Sequence, residues 1–337
     1  MSNLFNKIAV MTDIHFGLKN NSPTHNRDCE DFIDWFIDTA KQHNCDTGLC
    51  CGDWHNHRNN LNIATMNASI RSLEKLGQAF DNFYFFPGNH DLYFKENRNI
   101  YSVEFAKFIP GVTVIDQPTT IGNVVLCPWL VGDEWKSINK LKGKYIFGHF
   151  ELPSFMMNAM VAMPDHNEIQ LNHFKNFDYG FSGHFHKRQQ QKNMIYIGNC
   201  FPHNYADTWD DDRGMMILPW DQKPEFYTWP EQPTFRTVTL SQLIDNADNI
   251  LKPKQNLRVS LDIDISFEEA GFIKETFIQQ YNLREITLIP GKREHDVDTE
   301  LEVQSFENID TIVSNQILSI ESDTFDVTKL LTIYNGL

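Results

Sequence analysis

Short apolar or β-branched runs that end abruptly in polar residues recur along the first two thirds of the chain. The pattern predicts strands at residues 7–11, 47–51, 82–86, 144–147, 179–182 and 194–197. Two stretches with helical spacing of apolar residues, 31–42 and 63–80, separate the first three runs. Strands that alternate with helices in this way predict an α/β fold, a β-sandwich with a partly parallel sheet flanked by helices.

The pattern changes past residue 220. Four prolines between residues 219 and 233 indicate a linker, which is where a domain boundary is least costly. Residues 257–265 alternate with period two, 267–281 have helical spacing, and 284–289 form another strand-like run, which together predict a small α+β unit. A charged stretch then leads to helical spacing near the end of the sequence. The expected parts are residues 1–222, 235–295 and 303–337.

Length and charge limit the classes of protein that fit. A sequence of 337 residues, 41% of them hydrophobic, can bury one large core and a smaller accessory unit. The net charge of -16 argues against a protein that holds DNA by a broad basic surface, because phosphate affinity comes largely from Lys and Arg. Any contact with nucleic acid must therefore be local, or be supplied by metals and a partner.

The cysteines and the apolar runs indicate the compartment. Six cysteines form no CxxC pair, which is typical of buried thiols in a reducing compartment. No apolar run reaches the ~18 residues of a membrane-spanning helix, and the first residues lack a secretion-signal pattern. We therefore expect a cytoplasmic protein with no membrane association.

Polar residues with metal-binding chemistry follow five of the predicted strands. They are Asp13 and His15 in TDIHFG, Asp53 in CCGDWH, Asn89, His90 and Asp91 in PGNHD, His149 in FGHF, and His184 and His186 in SGHFH. Ligand sites form at the carboxyl ends of strands in open α/β sheets, so these side chains are expected to meet at one edge. Asp13 and His15 would point the same way if the first strand continued through them.

The expected ligand set combines oxygen and nitrogen and contains no thiolate. This suits manganese, iron or zinc and disfavours a structural zinc site of the cysteine type. Two carboxylates with four imidazoles fit two ions that share one Asp. Two ions ~3.5 to 4 Å apart can activate water and stabilise both oxygens of an in-line displacement at phosphorus. Glycines 17, 52, 88, 148 and 183 flank the ligands, where sharp turns bring backbone close to the ions.

The motifs DxH, GD, GNHD, GH and GHxH, in this order over residues 5–200, resemble the calcineurin-like metallophosphoesterase family. The resemblance implies one metal held by Asp13, His15, Asp53 and His186. It implies a second metal held by Asp53, Asn89, His149 and His184, with Asp53 bridging. His90 would donate a proton to the leaving oxygen or steady the phosphate, and Asp91 would orient its ring or cap the following segment.

The later part of the chain is similar to DNA nucleases of the Mre11 and SbcD type. Along its whole length, the chain resembles the compact nuclease subunits of this type in T4-like phages. The matching positions after the last motif are Gly198, Asn199, Pro202, Arg213 and Gly214, and the stretch EVQSF precedes the last helices. This resemblance implies a nuclease domain at 1–222, a DNA-capping domain at 235–295 and C-terminal helices at 303–337 that bind an ATPase partner.

The implied activity is metal-dependent cleavage of DNA in recombination and repair, exonucleolytic on duplex ends and endonucleolytic on single strands or hairpins. Two divalent ions would serve it, Mn²⁺ foremost, with Mg²⁺, Fe²⁺ or Zn²⁺ as alternatives. The implied partners are DNA, a Rad50/SbcC-like ABC ATPase and a second copy of the chain, in the host cytoplasm if a phage encodes it. The ATPase would dock on apolar residues of the last segment, or these residues could instead pack on the capping unit. They are Phe306, Ile309, Val313, Ile317, Leu330 and Leu331.

Several alternatives stay open at the level of sequence. The metal centre alone does not choose between a nuclease, a protein phosphatase and a cyclic-nucleotide phosphodiesterase, and a non-catalytic scaffold for the ATPase is a third class. Asn56 stands where archaeal relatives often have a histidine, a role that His55 or His57 could take. Trp54, Phe16 and Phe150 could stack on a base or pack around the site. The histidines without a motif, His203 among them, are expected to be structural or solvated, and the acidic cluster at 207–212 a solvated turn.

Overall fold

Two six-stranded sheets form the centre of the computed structural model, which describes residues 3–157, 161–166 and 168–290. The strands of the first sheet, in spatial order, are β12 (Glu225–Thr228), β11 (Gly214–Pro219), β1 (Lys7–Met11), β2 (Thr47–Cys50), β3 (Asn82–Phe85) and β4 (Val112–Val114). Those of the second are β5 (Thr119–Ile121), β6 (Val124–Cys127), β7 (Tyr145–His149), β8 (Tyr179–Gly183), β10 (Met194–Tyr196) and β9 (Gln189–Gln191). The central strands of both sheets pair in parallel. Antiparallel pairing occurs at one edge of the first sheet and at both edges of the second, so the predicted partly parallel α/β sandwich is confirmed.

The two faces of β1 pack in different layers of the fold. Ile8 and Val10 lie between the sheets, in one apolar cluster with Phe147 and Phe181 of the second sheet. Ala9 and Met11 face the other way, toward the helices that cover the first sheet. Because successive side chains of a strand alternate sides, the buried run of β1 serves two cores at once.

Two helices cover the outer face of the first sheet, α2 (Pro23–Gln42) and α3 (Ile63–Ala79). A single turn α1 (Leu18–Asn21), which buries no residue, precedes them, so that α2 and α3 are the longer helices. The longer two pack their apolar residues into the same cluster as Met11. The helix α2 begins at Pro23 and not at residue 31, because Ser22 accepts a hydrogen bond from the His25 amide at 3.4 Å and a proline at the first position suits a helix start.

A third sheet with its own core follows the sandwich. Its strands β13 (Thr234–Thr239), β14 (Gln255–Ser260) and β15 (Glu285–Ile289) are parallel, and they are connected through α4 (Leu240–Ile250) and α5 (Phe267–Tyr281). The expectation of a small α+β unit is therefore wrong in detail, since strand and helix alternate here as in an α/β unit. The expected strand at 257–265 ends earlier, at Ser260.

The proline-rich stretch is not a plain linker. The strand β12 lies inside it and pairs with β11, so the first sheet extends past residue 222. All described residues belong to one compact unit, Met1–Pro290. The expectations for residues 303–337, including the EVQSF stretch and the apolar docking residues, lie outside the described part. Among the described residues, no helix is long and apolar enough to cross a membrane.

Candidate metal centre

The seven side chains expected to bind metal meet at the carboxyl ends of β1, β2, β3, β7 and β8. The placements are Asp13 and His15 after β1, Asp53 after β2, Asn89 after β3, His149 at the last residue of β7, and His184 and His186 after β8. The edge that the sequence predicts is thus the edge at which these side chains come together.

Asp13, His15 and Asp53 form one cluster. One ligand atom of each lies within 4.8 Å of those of the other two, and all three residues are buried. The Nε2 atom of His15 lies 3.9 Å from Oδ1 of Asp13 and 3.7 Å from Oδ2 of Asp53. It also lies 3.3 Å from Nε2 of His186. Two carboxylates and two imidazoles at these distances can surround one divalent ion.

A second cluster shares Asp53 with the first. Ligand atoms of Asp53, His149 and His184 lie within 4.8 Å of one another. The Asn89 Oδ1 atom lies 3.1 Å from Nε2 of His149 and 2.9 Å from Nδ1 of His184, and Asp53 Oδ2 lies 3.4 Å from the same His149 nitrogen. The Asp53 carboxylate therefore stands between two groups of donors, the position that a bridging ligand requires.

Two of the ring nitrogens that face away from the clusters, those of His149 and His184, have protein partners. Nδ1 of His149 lies 2.7 Å from the carbonyl oxygen of Cys51, and Nε2 of His184 lies 3.3 Å from Oε1 of Glu151. Such outer contacts fix the orientation and tautomer of a metal-binding imidazole. Glu151 carries no motif of its own, so the sequence analysis did not identify it.

The backbone at the site is left-handed at four of the seven positions. The φ angle is 54° at Asp13, His15 and Asp53 and 88° at His184. The strand β1 ends at Met11, so the expectation that Asp13 and His15 converge by continuing a strand is wrong. Asp, Asn and His tolerate this region better than most residues, which lets single residues turn the chain toward the site.

Glycines allow the loops to approach the ligands closely. A Cβ atom at Gly88 would lie 2.2 Å from Oδ1 of Asp53, and Gly52 has a φ angle of 92° and lies against Gly88. Only glycine fits at Gly88 without displacing the Asp53 carboxylate, and only glycine fits at Gly52 without displacing the backbone of Gly88.

Electrostatics couples Asp53 with His149. Burial alone would raise the pKa of Asp53, but the neighbouring imidazoles of His149 and His15 hold it well below its usual range. Burial alone would lower the pKa of His149, but the Asp53 carboxylate outweighs it and raises the pKa to about 9. Burial dominates at His15 and lowers its pKa. The protein groups alone therefore hold a proton on His149 at neutral pH, beside an ionised Asp53.

His90 lies at the edge of the clusters. Its ring centroid is 4.9 Å from that of His15, and its backbone amide donates to Oδ1 of Asp53 at 2.8 Å. Its Nδ1 atom lies 2.8 Å from the carbonyl oxygen of Asn56. The ring is thus oriented by Asn56, and the expectation that Asp91 orients it is wrong.

Asp91 instead organises the backbone around the site. Its buried carboxylate accepts hydrogen bonds from the amides of Trp54, His55 and Gly88 at 3.3, 2.9 and 2.9 Å. Burial first, and then the nearby Asp53 charge, raise its pKa to about 7. These contacts tie the loop after β2 to the loop after β3.

Other residues left open by the sequence have structural positions. His55 is buried between the hydroxyls of Ser69 and Ser102, each 2.8 Å from a ring nitrogen, so it does not replace the histidine absent at Asn56. Trp54, Phe16 and Phe150 are buried and pack around the site, with no more than 1% of each exposed.

The acidic cluster after β10 is not a solvated turn. Arg213, which is buried, pairs with Asp207 and Asp210 at 3.3 and 2.8 Å. Arg236 pairs with Asp211, and Arg188 pairs with Asp212. The expectation is wrong because the adjacent Arg213, together with Arg188 and Arg236 from distant parts of the chain, neutralises the carboxylates.

His203 is the main residue that the sequence analysis missed. It was expected to be structural or solvated, but it is buried, and one ligand atom of its ring lies within 4.8 Å of those of His15 and His186. It belongs to no motif, so only the folded chain reveals this position.

Two donor clusters that share one carboxylate, at the strand ends of a β-sandwich, define the class of metal-dependent phosphoester hydrolases. Residues 6–188 match the calcineurin-like phosphoesterase family, and the chain belongs to that family. The fold of this family implies divalent metal ions, and the oxygen and nitrogen donors described above fit them.

Two known proteins are similar to this chain. The exonuclease subunit 1 of Enterobacteria phage T4 is 26% identical over 315 residues, which cover 90% of this chain and 90% of the phage protein. The crystal structure of the nuclease MPE of Pseudomonas putida shares 13% sequence identity, with a TM-score of 0.29, and the match covers 62% of this chain and 82% of that one.

Proposed function

We propose that this protein is a two-metal DNA nuclease, exonucleolytic on duplex ends and endonucleolytic on single strands or hairpins. The observation that carries DNA as substrate is the similarity to a phage exonuclease subunit, which spans nine tenths of both chains. Hydrolysis at phosphorus follows from the family, and the choice of substrate follows from this relative and from the charges beside the site.

The two ions are assigned to the two clusters. Asp13, His15, Asp53 and His186 hold one ion, and Asp53, Asn89, His149 and His184 hold the other. This assignment is supported by the distances within each cluster and by the protein partners of the outward ring nitrogens of His149 and His184. Mixed oxygen and nitrogen donors suit Mn²⁺, with Mg²⁺, Fe²⁺ or Zn²⁺ as alternatives. When bound, the ions supply a nucleophile at neutral pH and stabilise charge on the attacking and leaving oxygens.

His90 is the proposed acid. A carbonyl oxygen only accepts hydrogen bonds, so the contact with Asn56 requires a proton on Nδ1 of His90. When the ring is protonated, Nε2 also carries a proton and can donate it to the leaving oxygen of the scissile phosphodiester. Asp91 acts indirectly, because it holds the backbone of the loops that carry Asp53 and His90.

Metal affinity is expected to rise with pH between about 7 and 9. His149 has a pKa of about 9, so its proton must leave before Nε2 can bind an ion. One proton released per ion gives about a tenfold gain in apparent affinity per pH unit over this range, and no further gain above it. Calorimetry in buffers of different ionisation enthalpy measures the proton release directly.

The matched control for this measurement is His173→Gln, which removes an imidazole outside the site and should keep the same pH dependence. An apparent affinity that stays constant from pH 7 to 9 would contradict the assignment of His149 as a ligand.

A positively charged groove adjoins His90. It is lined by Asn56, His57, Arg58, Asn59, His90, Tyr93 and Lys95, a set without a carboxylate. Neither Arg58 nor Lys95 has an ion-pair partner among the described residues. The adjacent aromatic residues Tyr93 and Phe94 are 48% and 43% exposed. In a chain of net charge -16, unpaired cations beside exposed aromatic rings favour a nucleic-acid strand, whose phosphates and bases they can contact.

Neutralising this groove is expected to weaken DNA binding and to leave the chemistry intact. The double variant Arg58→Gln, Lys95→Gln should lower the slope of log affinity against log salt by about two, roughly one for each lost phosphate contact. Hydrolysis of bis(p-nitrophenyl) phosphate, which is too small to follow the groove, should change little. Fluorescence anisotropy with a labelled strand at several salt concentrations measures the slope.

The matched control removes two positive charges elsewhere. In Arg71→Gln, Lys75→Gln the lost cations lie on α3 and pair with Glu30 and Asp34 of α2, outside the set of residues that line the groove. An equal loss of DNA affinity in both double variants would show that only net charge matters and would remove the groove from the proposal.

The proposed function is tested by metal-dependent digestion of an end-labelled duplex, a hairpin and a single strand, with Asp53→Asn as the inactive control. The expected result is a ladder of products that requires Mn²⁺. Turnover of phosphoprotein or cyclic nucleotides, without cleavage of any DNA even when a partner ATPase is added, would show a phosphatase or phosphodiesterase instead.

The remaining parts of the proposal concern domains and partners. The sandwich, which extends through β12, would form the nuclease domain, residues 235–295 a DNA-capping domain and 303–337 a segment that binds a Rad50/SbcC-like ABC ATPase, within a homodimer. The assignment of the DNA-capping domain is supported by side chains that join the third sheet to the sandwich. Arg284 pairs with Asp28, and Arg258 lies 3.9 Å from the ring centre of Tyr205. A basic tract on the ATPase would compensate for the acidic surface of this chain.

A further inference from the structure

His203 is a buried histidine whose ring has no hydrogen-bond partner. It is 1% exposed, and both ring nitrogens are unpaired among the described residues. Its backbone amide donates to Oδ2 of Asp207 at 2.8 Å, which fixes the position of the residue after β10. The ring centroid lies 5.4 Å from that of His15 and 5.3 Å from that of His186.

An unpaired polar ring in this position requires an explanation. A buried donor or acceptor without a partner costs roughly 1–3 kcal/mol, and native structures contain few of them. The neighbouring His25 shows the ordinary solution, since its Nε2 atom lies 3.0 Å from the carbonyl oxygen of His15. His203 has no such contact, but it has a ring nitrogen within 4.8 Å of ring nitrogens of His15 and His186.

We propose that His203 is a further nitrogen ligand of the ion held by Asp13, His15, Asp53 and His186. The inference rests on the proposed metal centre and does not depend on DNA as substrate. It assigns the stretch after β10 a direct part in metal binding, although none of the five motifs includes it. The ion at this cluster would then have three imidazoles and two carboxylates from the protein.

The added imidazole changes the metal that this cluster prefers. Imidazole suits Mn²⁺, Fe²⁺ and Zn²⁺, whereas Mg²⁺ prefers oxygen ligands and keeps several waters. Three nitrogens therefore select against Mg²⁺ at this cluster, while the cluster with Asn89, His149 and His184 keeps its own donors. Loss of His203 should weaken Mn²⁺ binding at one of two sites and narrow the preference for Mn²⁺ over Mg²⁺.

The test is Mn²⁺ binding to metal-free full-length protein, with free Mn²⁺ measured from its electron paramagnetic resonance signal. The unsubstituted protein should bind two equivalents. His203→Ala should bind one of them at least about tenfold more weakly, and His203→Gln, which keeps a polar side chain, should do the same. Competition with Mg²⁺ should displace Mn²⁺ from the variant site at lower Mg²⁺ concentration. His25→Asn is the matched control, because it removes the adjacent buried imidazole that already has a backbone partner.

Unfolding experiments separate a metal ligand from a purely structural histidine. If His203 acts through the ion, His203→Leu leaves the stability of the metal-free protein unchanged or higher and reduces the rise in melting temperature that Mn²⁺ produces. A loss of stability that is equal with and without Mn²⁺ would show a structural role and overturn the proposal. Two equivalents of Mn²⁺ bound with unchanged affinity would also overturn it, whatever the substrate of the enzyme.

Discussion

Replacing Asp53 with asparagine is expected to lower the rate of phosphodiester hydrolysis by about a thousandfold or more. Asp53 is the one residue common to both donor clusters, and its Oδ2 atom lies 3.4 Å from His149 and 3.7 Å from His15. An amide oxygen cannot bridge two cations as a carboxylate does, so the joint stabilisation of the attacking and leaving oxygens is lost. Removal of several kcal/mol of this stabilisation corresponds to about three orders of magnitude in rate.

Two measurements accompany the rate for this variant. Metal analysis should find fewer than two equivalents of Mn²⁺ bound, and nuclear magnetic resonance of metal-free protein should show a lower pKa of His149, because the Asp53 carboxylate is the group that raises it. Asp34→Asn, a change of the same kind in an exposed ion pair, serves as the control. An Asp53→Asn protein that binds two ions and keeps a tenth of the rate would exclude the bridging role.

Replacing His90 with asparagine is expected to lower the rate of DNA cleavage by about 10² to 10⁴, the usual contribution of a positioned general acid. Metal content and DNA affinity should be retained, since His90 belongs to neither donor cluster and its backbone amide, not its ring, contacts Asp53. The measurement is single-turnover cleavage at saturating enzyme, which separates the chemical step from binding.

The choice of leaving group distinguishes an acid from a residue that only positions the phosphate. A p-nitrophenolate leaving group departs without a proton, so bis(p-nitrophenyl) phosphate should lose far less activity than DNA in His90→Asn. Equal losses on the two substrates would show that His90 steadies the phosphate and donates no proton. Unchanged cleavage of DNA would show that His90 has no part in the chemical step. Unchanged biological function of a His90→Asn protein that no longer cleaves DNA would indicate a scaffold whose metal site is structural.

The sequence was sufficient to predict the seven residues of the candidate centre and the edge at which they meet. Each follows a buried run, and parallel strands place their carboxyl ends together, so a one-dimensional pattern contains this part of the geometry. The pattern does not contain the turn geometry. Asp13 and His15 converge because both adopt left-handed backbone after β1 ends at Met11, which alternation along a strand does not predict.

Residues that act through tertiary contacts were beyond the sequence. Glu151 approaches His184 from another loop, Asn56 orients His90 through a backbone carbonyl that any residue would provide, and His203 enters the site from the segment after β10. The same limit applies to Arg188 and Arg236, which pair with Asp212 and Asp211 from distant parts of the chain, so that the acidic cluster is not a solvated turn. In the fold, β12 was missed because the prolines around it are typical of a linker.

The left-handed backbone at Asp13, His15, Asp53 and His184 affects how the sites of related proteins should diverge. The residue at each of these four positions must adopt the left-handed conformation as well as take part in the chemistry. A descendant that has lost catalysis would therefore still favour Asp, Asn, His or Gly at these positions. His149 and His186 lie outside the left-handed set, and nothing in their backbone restricts replacement. In a homologue, an intact pair at these two positions is therefore the better sign of a retained activity.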